Sequence, residues 1–319
     1  MTVTIETPDR LLDRTLAFVA DRFGGPIEAG EPVAAVMSPM HRAVDADCRV
    51  IHAAGRTTSY FLKIWHDDLV APPDPTAVFT AAQAAAEAGV APAALLLTPD
   101  QRAVLYEHLG AGWRTARLNE LAEPATLEAL IVAKAAIHRL SPFPRDRDVF
   151  ADIEALAQTA PRRGAYLPAD FANLLAAAAH LRLAVAASGI DRVPAHADGV
   201  ASNVMLGPGG AVRLVDFDEA GNTDALFDLA VTLNEIFPLD EPRQAEVLEA
   251  FAGTASPAAL ARLRAYGLAD DLKWALWGFI MDATSPRRDI EFLKYAQWRW
   301  LRGNMALSRW SLDATLRAI

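Results

Sequence analysis

The residues with the clearest chemical pattern lie between positions 193 and 228 of this 319-residue chain. His196, Asp198 and Asn203 form the pattern His-x-Asp-x4-Asn, and Asp216 follows at the end of an apolar segment. Phosphoryl transfer from ATP requires one carboxylate that accepts the proton of the attacking hydroxyl, and an amide and a second carboxylate that hold Mg²⁺. The pattern therefore predicts Asp198 as the base and Asn203 and Asp216 as metal ligands. His196 is expected to brace the loop rather than to contact substrate.

Two short apolar segments position these residues. Val204–Leu206 and Ala211–Val215 are predicted strands, and the Gly-Pro-Gly-Gly sequence at 207–210 is a predicted turn. Consecutive Gly and Pro residues cannot continue a strand. A hairpin of this kind brings Asn203 and Asp216 close together in space.

A chance loop is the alternative to this interpretation. The motif is short, and Asp and Asn are ordinary turn residues. However, the loop, strand, glycine turn and second strand occur together, followed by Asp216-Phe217-Asp218 and by Asp228 at a predicted helix start. The joint pattern is much rarer than the motif alone, and it favours the kinase-like interpretation.

Composition limits the partners of the protein. The net charge of −10, from 40 acidic and 30 basic residues, argues against nucleic acid or an anionic membrane surface as the main partner. The single cysteine, Cys48, cannot form an internal disulfide and predicts a reducing, cytoplasmic location. The sequence has no N-terminal signal pattern and no apolar run of membrane-spanning length, so membrane insertion is not expected.

Periodicity predicts strands in the first third of the chain and helices in the remainder. The first elements are a helix at 7–23, strands at 32–37, 48–53, 59–65, 93–97 and 103–107, and a helix at 76–88. Later helices are predicted at 125–140, 168–188, 229–237, 244–252, 257–266, 272–282 and 290–302.

The stretch from His196 to Ala230 resembles the catalytic core of the aminoglycoside phosphotransferase and choline/ethanolamine kinase superfamily. The shared parts are His-x-Asp-x4-Asn, an Asp-Phe-Asp strand end and Asp-Leu-Ala. The resemblance is closest to bacterial choline kinases and covers roughly 92–302. It implies a two-lobed, protein-kinase-like α+β fold. Residues 1–109 would form a small lobe with a five-stranded antiparallel sheet, and residues 110–319 a mainly helical lobe with the catalytic loop and acceptor pocket.

The resemblance also implies a site for ATP and Mg²⁺. Lys63, in the apolar strand Tyr-Phe-Leu-Lys-Ile-Trp, matches a basic residue that contacts the phosphates in the family. An edge-strand lysine that reaches water is the alternative. Glu107, His108 and Leu109 would form the hinge whose backbone groups meet adenine.

Two features depart from the family pattern. The loop at 38–42 contains no glycine, whereas many kinases cover the phosphates with a glycine-rich loop. Val78 stands where the following helix should carry the glutamate that pairs with the lysine. Both departures favour a catalytically degenerate member of the family, which stays an open alternative.

Aromatic residues near the C-terminus narrow the choice of acceptor. Trp274 and Trp277 are three positions apart, so they share a helix face. Aromatic boxes bind quaternary ammonium groups by cation–π attraction, although tryptophans at helical spacing are more commonly core residues. By resemblance, Trp274, Trp277 and Tyr295 match the residues that line the choline site. Asp218 belongs to an Asp-Glu-Ala-Gly sequence similar to the choline-kinase metal strand, and is a further substrate-site candidate.

The expected reaction is transfer of the ATP γ-phosphate to the hydroxyl of a small, cationic amino alcohol, choline or ethanolamine. An aminoglycoside or another small hydroxylated metabolite is the first alternative, for which the pocket should be broad and acidic. A binding protein that keeps the loop but transfers nothing is the second alternative. The sequence does not predict an oligomeric state.

Overall fold

The computed structural model describes residues 8–37, 41–55, 57–98 and 102–319. Three of the five residues in the predicted glycine-free loop, 38–40, lie outside these ranges. So do residues 99–101 of the predicted turn between the fourth and fifth strands. Within the described ranges, no helix is both long enough and apolar enough to cross a membrane.

The first part of the chain forms one helix and an antiparallel sheet. The elements are α1 (Pro8–Phe23), β1 (Ile27–Pro32), β2 (Ala46–Ala53), β3 (Ser59–Trp65), α2 (Pro75–Glu87), β4 (Ala94–Thr98) and β5 (Ala103–Glu107). In the part of the chain that the structure describes, these five strands pair in the order β1-β2-β3-β5-β4. The predicted small sheet is therefore confirmed, and β3 lies at its centre.

The first strand was predicted in the wrong place. A strand was expected at 32–37. Instead, β1 spans Ile27–Pro32 and ends at the residue where the expected strand would begin. Ile27 pairs with Ala53 and Ala29 with Ile51, and the register shifts before Pro32. Since β1 is an edge strand, its glutamates can face water, and its backbone pairs with β2 without an alternating apolar pattern. The apolar run after Pro32 contributes only an isolated bridge between Val36 and Arg42.

The rest of the chain is mainly helical, with small sheets that carry the candidate site. The elements are β6 (Arg114–Thr115), α3 (Leu118–Leu121), α4 (Pro124–Ile137), α5 (Val149–Arg162), α6 (Phe171–Ala187), β7 (Arg192–Ala195), β8 (Val204–Leu206), β9 (Val212–Leu214), β10 (Gly221–Asp224), α7 (Ala225–Ile236), α8 (Glu241–Ala252), α9 (Pro257–Thr284), α10 (Phe292–Arg309) and α11 (Leu312–Ala318). Strand β8 pairs with both β6 and β9, and β7 pairs with β10.

Helix α9 is the main support of the helical part. It is one continuous helix, where the sequence predicted two helices at 257–266 and 272–282. The prediction failed because Asp270 and Asp271 resemble a polar break. Both carboxylates are buried and paired with Arg299 on α10, so the helix continues through them. Helix α5 was not predicted from the sequence.

Among the residues that the structure describes, two hydrophobic clusters hold the elements together. The smaller cluster joins α1 to one face of the sheet through residues such as Val19, Ile51 and Leu105. The larger cluster runs from the other face of the sheet and α2 into the helical part. The helical part and the sheet therefore share a core, and the boundary between 109 and 110 stays a prediction.

A polar contact also joins the two parts of the chain beyond α9. Arg287 makes a two-pronged ion pair with Asp68, with Nε to Oδ2 at 2.9 Å and Nη2 to Oδ1 at 3.0 Å. Ser285 donates a third hydrogen bond to the same carboxylate, and Arg287 also donates to the Val44 carbonyl oxygen. Asp68 follows β3, so this cluster connects the sheet with the C-terminal end of α9.

Candidate active site

The loop after β7 is held in place by His196. Its side chain is completely buried, and both ring nitrogens lie near backbone carbonyl oxygens. Nδ1 is 3.1 Å from the oxygen of Asp198, and Nε2 is 3.0 Å from the oxygen of Val215. His196 thus links the loop to the chain just after β9, and this geometry supports the predicted bracing role.

Asp228 holds the same loop in place through buried hydrogen bonds. Its carboxylate is fully buried and accepts hydrogen bonds from Lys134 Nζ at 2.7 Å, His138 at 2.8 Å and the backbone N–H of Ala197 at 2.8 Å. Lys134 also donates to the carbonyl oxygen of Asp198 at 3.0 Å. Burial alone would raise the pKa of Asp228, but the charge of Lys134 and the His138 bond outweigh it and lower the pKa strongly.

Asp198 lies partly buried in the cleft, with both carboxylate oxygens engaged. Oδ1 accepts the Val200 N–H at 2.8 Å, and Oδ2 accepts the Asn203 amide at 2.9 Å. Burial raises the pKa of Asp198 above its ordinary value, although the charge of His196 opposes the effect. A carboxylate with a raised pKa accepts a proton more readily, which fits a general base.

Asn203 and Asp216 are brought together as the hairpin predicts. Strands β8 and β9 pair in antiparallel register, and the Val215 N–H donates to the Asn203 carbonyl oxygen at 3.0 Å. Asp216 has a φ of 66°, which is uncommon for a residue other than glycine and costs free energy that functional sites often accept.

Lys63 reaches this pair from the sheet. Its ammonium lies 2.7 Å from Asp216 Oδ1 and 2.8 Å from Asp218 Oδ2, while the Trp65 indole donates to Asp218 Oδ2 at 2.7 Å. The side chain is only 5% exposed, so the alternative of a lysine reaching water is wrong. Val78, which stands at the place of the family glutamate, is buried on α2. The partners of Lys63 are therefore carboxylates of the Asp-Phe-Asp segment itself.

The two carboxylates beside Lys63 have opposite pKa shifts. Burial and the charge of Asp216 raise the pKa of Asp218 to about 8. Burial would also raise the pKa of Asp216, but the ammonium of Lys63 outweighs it and lowers the pKa. The two shifts have a common cause, because two adjacent buried carboxylates resist carrying two charges and Lys63 favours the ionised form of Asp216.

The residues at this end of the cleft fit a magnesium ion. Mg²⁺ prefers hard oxygen ligands, and it is commonly held by one or two protein groups together with phosphate oxygens. Asp216 supplies an ionised carboxylate whose side chain is 34% exposed toward the cleft. The amide nitrogen of Asn203 is directed at Asp198, which leaves its amide oxygen for a cation.

A cavity of about 340 Å³ separates the sheet from the loop after β7, residues 196–203, which is the predicted catalytic loop. The predicted hinge lines this cavity, with Glu107 at the end of β5 and His108 and Leu109 directly after it. The side chains of Glu107 and His108 are engaged by residues of the sheet part. Glu107 accepts the Ala93 N–H, and His108 is hydrogen-bonded to Ser59. Further lining comes from Val33, Ala46, Lys63, Met205, Asp198, Asn203, Asp216, Asp218 and Trp274.

The three predicted aromatic residues of the acceptor site lie together at one side of this cavity. The ring centroids of Trp274 and Trp277 are 5.5 Å apart, and those of Trp274 and Tyr295 are 6.4 Å apart. Trp274 lines the cavity, whereas Trp277 and Tyr295 are buried behind it. One ring face of Trp274 already carries a cation, because Lys273 Nζ lies 4.2 Å from its centroid. These three residues are called the aromatic box below.

The sequence of residues 43–266 matches the phosphotransferase enzyme family, and these residues make up more than half of the chain. The chain belongs to that family. It is a small-molecule phosphotransferase with a kinase-like fold. No curated protein matches it significantly in sequence.

Solved structures share the fold of this phosphotransferase along nearly its whole length. A choline/ethanolamine kinase family protein from Mesorhizobium loti has a TM-score of 0.75 at 24% identity, covering 97% of this chain and 98% of that chain. The choline kinase LicA from Streptococcus pneumoniae has a TM-score of 0.74 at 15% identity, with 94% and 99% covered. Spectinomycin phosphotransferase APH(9)-Ia, in complex with ADP and spectinomycin, has a TM-score of 0.63 at 11% identity, with 95% and 98% covered.

The phosphotransferase cleft also contains a buried ionic cluster that the sequence did not reveal. Glu219, which lines the cavity, accepts hydrogen bonds from Arg147 and Lys273. Burial alone would raise the pKa of Glu219, but these two cations outweigh it and lower the pKa to about 2. Only the position of Glu219 directly after the Asp-Phe-Asp segment could have indicated a role, since its partners are distant in sequence.

Two further residues near the aromatic box were missed. His41 lies among the three rings, and Glu235 on α7 lies in a narrow recess behind it with Tyr295 and Arg299. Burial raises the pKa of Glu235. His41 belongs to the predicted phosphate loop at 38–42, and nothing in that sequence indicates a position among aromatic rings. Glu235 lies in the predicted helix at 229–237, and its position there gives no indication of a site.

Proposed function

We propose that this phosphotransferase transfers the γ-phosphoryl group of ATP to the hydroxyl of a small amino alcohol, with choline or ethanolamine as the acceptor. One observation carries the proposal. Asp198, Asn203 and Asp216 face the same cavity that Trp274 of the aromatic box lines. A hydroxyl presented to Asp198 by an acceptor whose cationic end binds the box would therefore meet the phosphate end of a bound nucleotide.

The proposed reaction uses the chain's own groups as follows. Asp198 orients the acceptor hydroxyl and takes its proton as the oxygen attacks the γ-phosphorus. The bond between the γ-phosphorus and the β–γ bridging oxygen breaks, and ADP leaves with that oxygen. Lys63 contacts the phosphates, and its charge favours the negative charge on the transferred group. Asn203 and Asp216 would hold Mg²⁺, which supplies neutralisation of phosphate charge when it is bound.

The neighbouring structures give limited support for the acceptor. The Mesorhizobium loti protein and LicA have TM-scores of 0.75 and 0.74, and the spectinomycin phosphotransferase has 0.63. Their identities to this chain are below 25%, so the likeness concerns the fold. The aromatic box is the feature of this chain that supports a cationic amino alcohol.

The test is release of ADP from ATP and Mg²⁺ with a panel of choline, ethanolamine, aminoglycosides and small sugars. The proposal expects release with choline or ethanolamine. It expects Asp198→Ala to fold normally but to lose turnover by at least about a thousandfold, because the proton acceptor is gone. Asp289→Ala, at an exposed aspartate, is the matched control.

Substitution of Trp274 in the aromatic box then tests whether the acceptor binds there. Trp274→Ala should raise KM for choline or ethanolamine, while Trp310→Ala, whose side chain lines a separate recess, should not. Release with an aminoglycoside alone would retain the kinase and remove the amino-alcohol assignment. Retained turnover in Asp198→Ala would contradict the proposed base.

A second acceptor class is favoured by one specific observation. Cations already lie over two rings of the box, Lys273 over Trp274 and Arg299 over Tyr295 at 5.9 Å, which weakens the attraction of these rings for a further cation. An aminoglycoside or another hydroxylated metabolite that binds in the main cavity is therefore the second candidate, and the same panel decides between them.

A further inference from the structure

The aromatic box is filled by a side chain of the protein. The ring centroid of His41 lies 5.4 Å from that of Trp274, 5.7 Å from that of Trp277 and 5.4 Å from that of Tyr295. Its side chain is only 8% exposed. His41 lines both the main cavity and the narrow recess that contains Glu235. The imidazole therefore stands as a partition between the cleft and the innermost part of the box.

The backbone of His41 is fixed in this place. Ser202, next to Asn203 on the catalytic loop, donates a hydrogen bond to the carbonyl oxygen of His41. The following residue, Arg42, exchanges two backbone hydrogen bonds with Val36, at 2.9 and 3.0 Å. Rotation of the side chain, rather than movement of the backbone, is the way in which the imidazole can leave the box.

The surroundings of the ring are those of a bound cation. Three aromatic rings surround it, Asp45 Oδ2 lies 3.3 Å from Nε2, and Glu235 lines the same recess. Burial alone would lower the pKa of His41, but the carboxylate of Asp45 outweighs it and raises the pKa. Imidazolium and trimethylammonium groups are both compact, weakly hydrated cations that bind to aromatic faces.

We propose that the imidazole of His41 occupies the ammonium position of the acceptor pocket, so that a cationic headgroup enters the aromatic box only by displacing it. His41 is then a residue that determines specificity. It keeps the box closed to weakly bound cations and reduces the apparent affinity for any acceptor that uses the box. This inference rests on the proposed acceptor pocket, but it can be tested without turnover.

The probe is tetramethylammonium chloride, titrated by calorimetry against the intact protein, with sodium chloride at equal ionic strength as the reference. His41→Ala empties the box and should tighten binding of the probe about tenfold, because the ion no longer competes with a tethered ring. His41→Phe refills the box with an uncharged ring of similar size and should show no gain. His180→Ala, at an exposed histidine on α6, is the matched control.

The outcomes separate this inference from the proposed function. Tighter binding in His41→Ala, absent in His41→Phe, supports the inference even if no acceptor is phosphorylated. Equal binding in the wild type and His41→Ala overturns it, as does an equal gain in His41→Phe, even if choline is a good acceptor. Should His41→Ala fail to fold, His41→Ser makes the same test.

Turnover provides an independent readout if choline proves to be an acceptor. In His41→Ala, KM for choline should fall about tenfold while kcat stays within about twofold, because the substitution removes a competitor and leaves Asp198 in place. A fall in kcat with unchanged KM would instead indicate a role in the chemical step and would overturn the inference.

Discussion

The ammonium of Lys63, at the centre of the sheet, lies 2.7 Å from Asp216 Oδ1 at the end of the β8–β9 hairpin. The same lysine contacts Asp218, whereas α2 presents Val78 at the place of the expected glutamate. The charge that would contact phosphate is therefore held by the segment that would bind the metal. Nucleotide binding must compete with this pairing, which makes Lys63 and Asp216 energetically dependent on each other.

The first prediction concerns Lys63. Lys63→Met should lower kcat/KM for ATP by about a hundredfold or more, because it removes a charge aimed at the phosphates in a shielded cleft. Steady-state kinetics with varied ATP measure the effect. Lys294→Met, at an exposed lysine on α10, is the control. Unchanged kcat/KM for ATP in Lys63→Met would contradict the phosphate role.

The second prediction concerns the glycine after the proposed base. A Cβ atom at Gly199 would lie 2.0 Å from the carbonyl oxygen of Val231, which is backbone and cannot rotate away. Gly199→Ala should therefore shift the catalytic loop, lower turnover at least about tenfold and reduce the free energy of unfolding by about 1–3 kcal/mol.

Turnover and denaturant titration of the same preparation check this prediction. Gly25→Ala is the control, because nothing lies within 4 Å of a Cβ atom at that position. Full activity in Gly199→Ala would show that the loop can move away from α7 without loss of function.

The third prediction concerns Asp228. Asp228→Asn leaves the buried ammonium of Lys134 without its counter-charge, so the free energy of unfolding should fall by about 3–5 kcal/mol. Urea titration followed by circular dichroism measures this change, with Asp289→Asn as an exposed control. A loss below about 1 kcal/mol would mean that Lys134 finds another partner.

The catalytic loop was predictable because its information is local. Asn203 and Asp216 flank a hairpin, and the glycine turn between its strands fixes their proximity. Lys63 was predicted as a candidate, but its partners were not, because Asp216 lies 153 residues further along the chain. Pairing over such a distance depends on how the sheet packs against the helical part, and periodicity does not encode that packing.

The aromatic box shows the same limit. Trp274 and Trp277 share a helix face that the spacing reveals, and Tyr295, which the family resemblance indicated, lies at their side on α10. The occupant, His41, comes from a loop on the other side of the cleft. Local patterns also failed where charged residues are buried. Asp270 and Asp271 lie inside α9, although their charge suggests a break between two helices.

The fourth prediction concerns acid stability. The folded-state pKa of Glu219 is depressed to about 2, from an ordinary value of 4.5, so its contribution to stability is fully present above about pH 4.5 and is lost as the pH falls toward 2. The shift corresponds to roughly 3 kcal/mol. Glu219→Gln should be less stable than the wild type at pH 6, and the difference should shrink toward pH 2.5.

Thermal unfolding across this pH range checks the prediction. Glu246→Gln, at an exposed glutamate on α8, is the control for general acid effects. A difference between wild type and Glu219→Gln that stays constant from pH 6 to pH 2.5 would mean that Arg147 and Lys273 do not depress the pKa of Glu219.

The two-pronged ion pair between Arg287 and Asp68 has a consequence for the cleft. The chain crosses between the sheet and the helical part covalently after β5, and this ion pair makes a second crossing beyond α9. Both side chains are less than 20% exposed, so dissolved salt screens their attraction only weakly. This ion pair adds to the contacts that Lys63 and His41 make across the cleft, so we expect the width of the cleft to depend little on ionic strength.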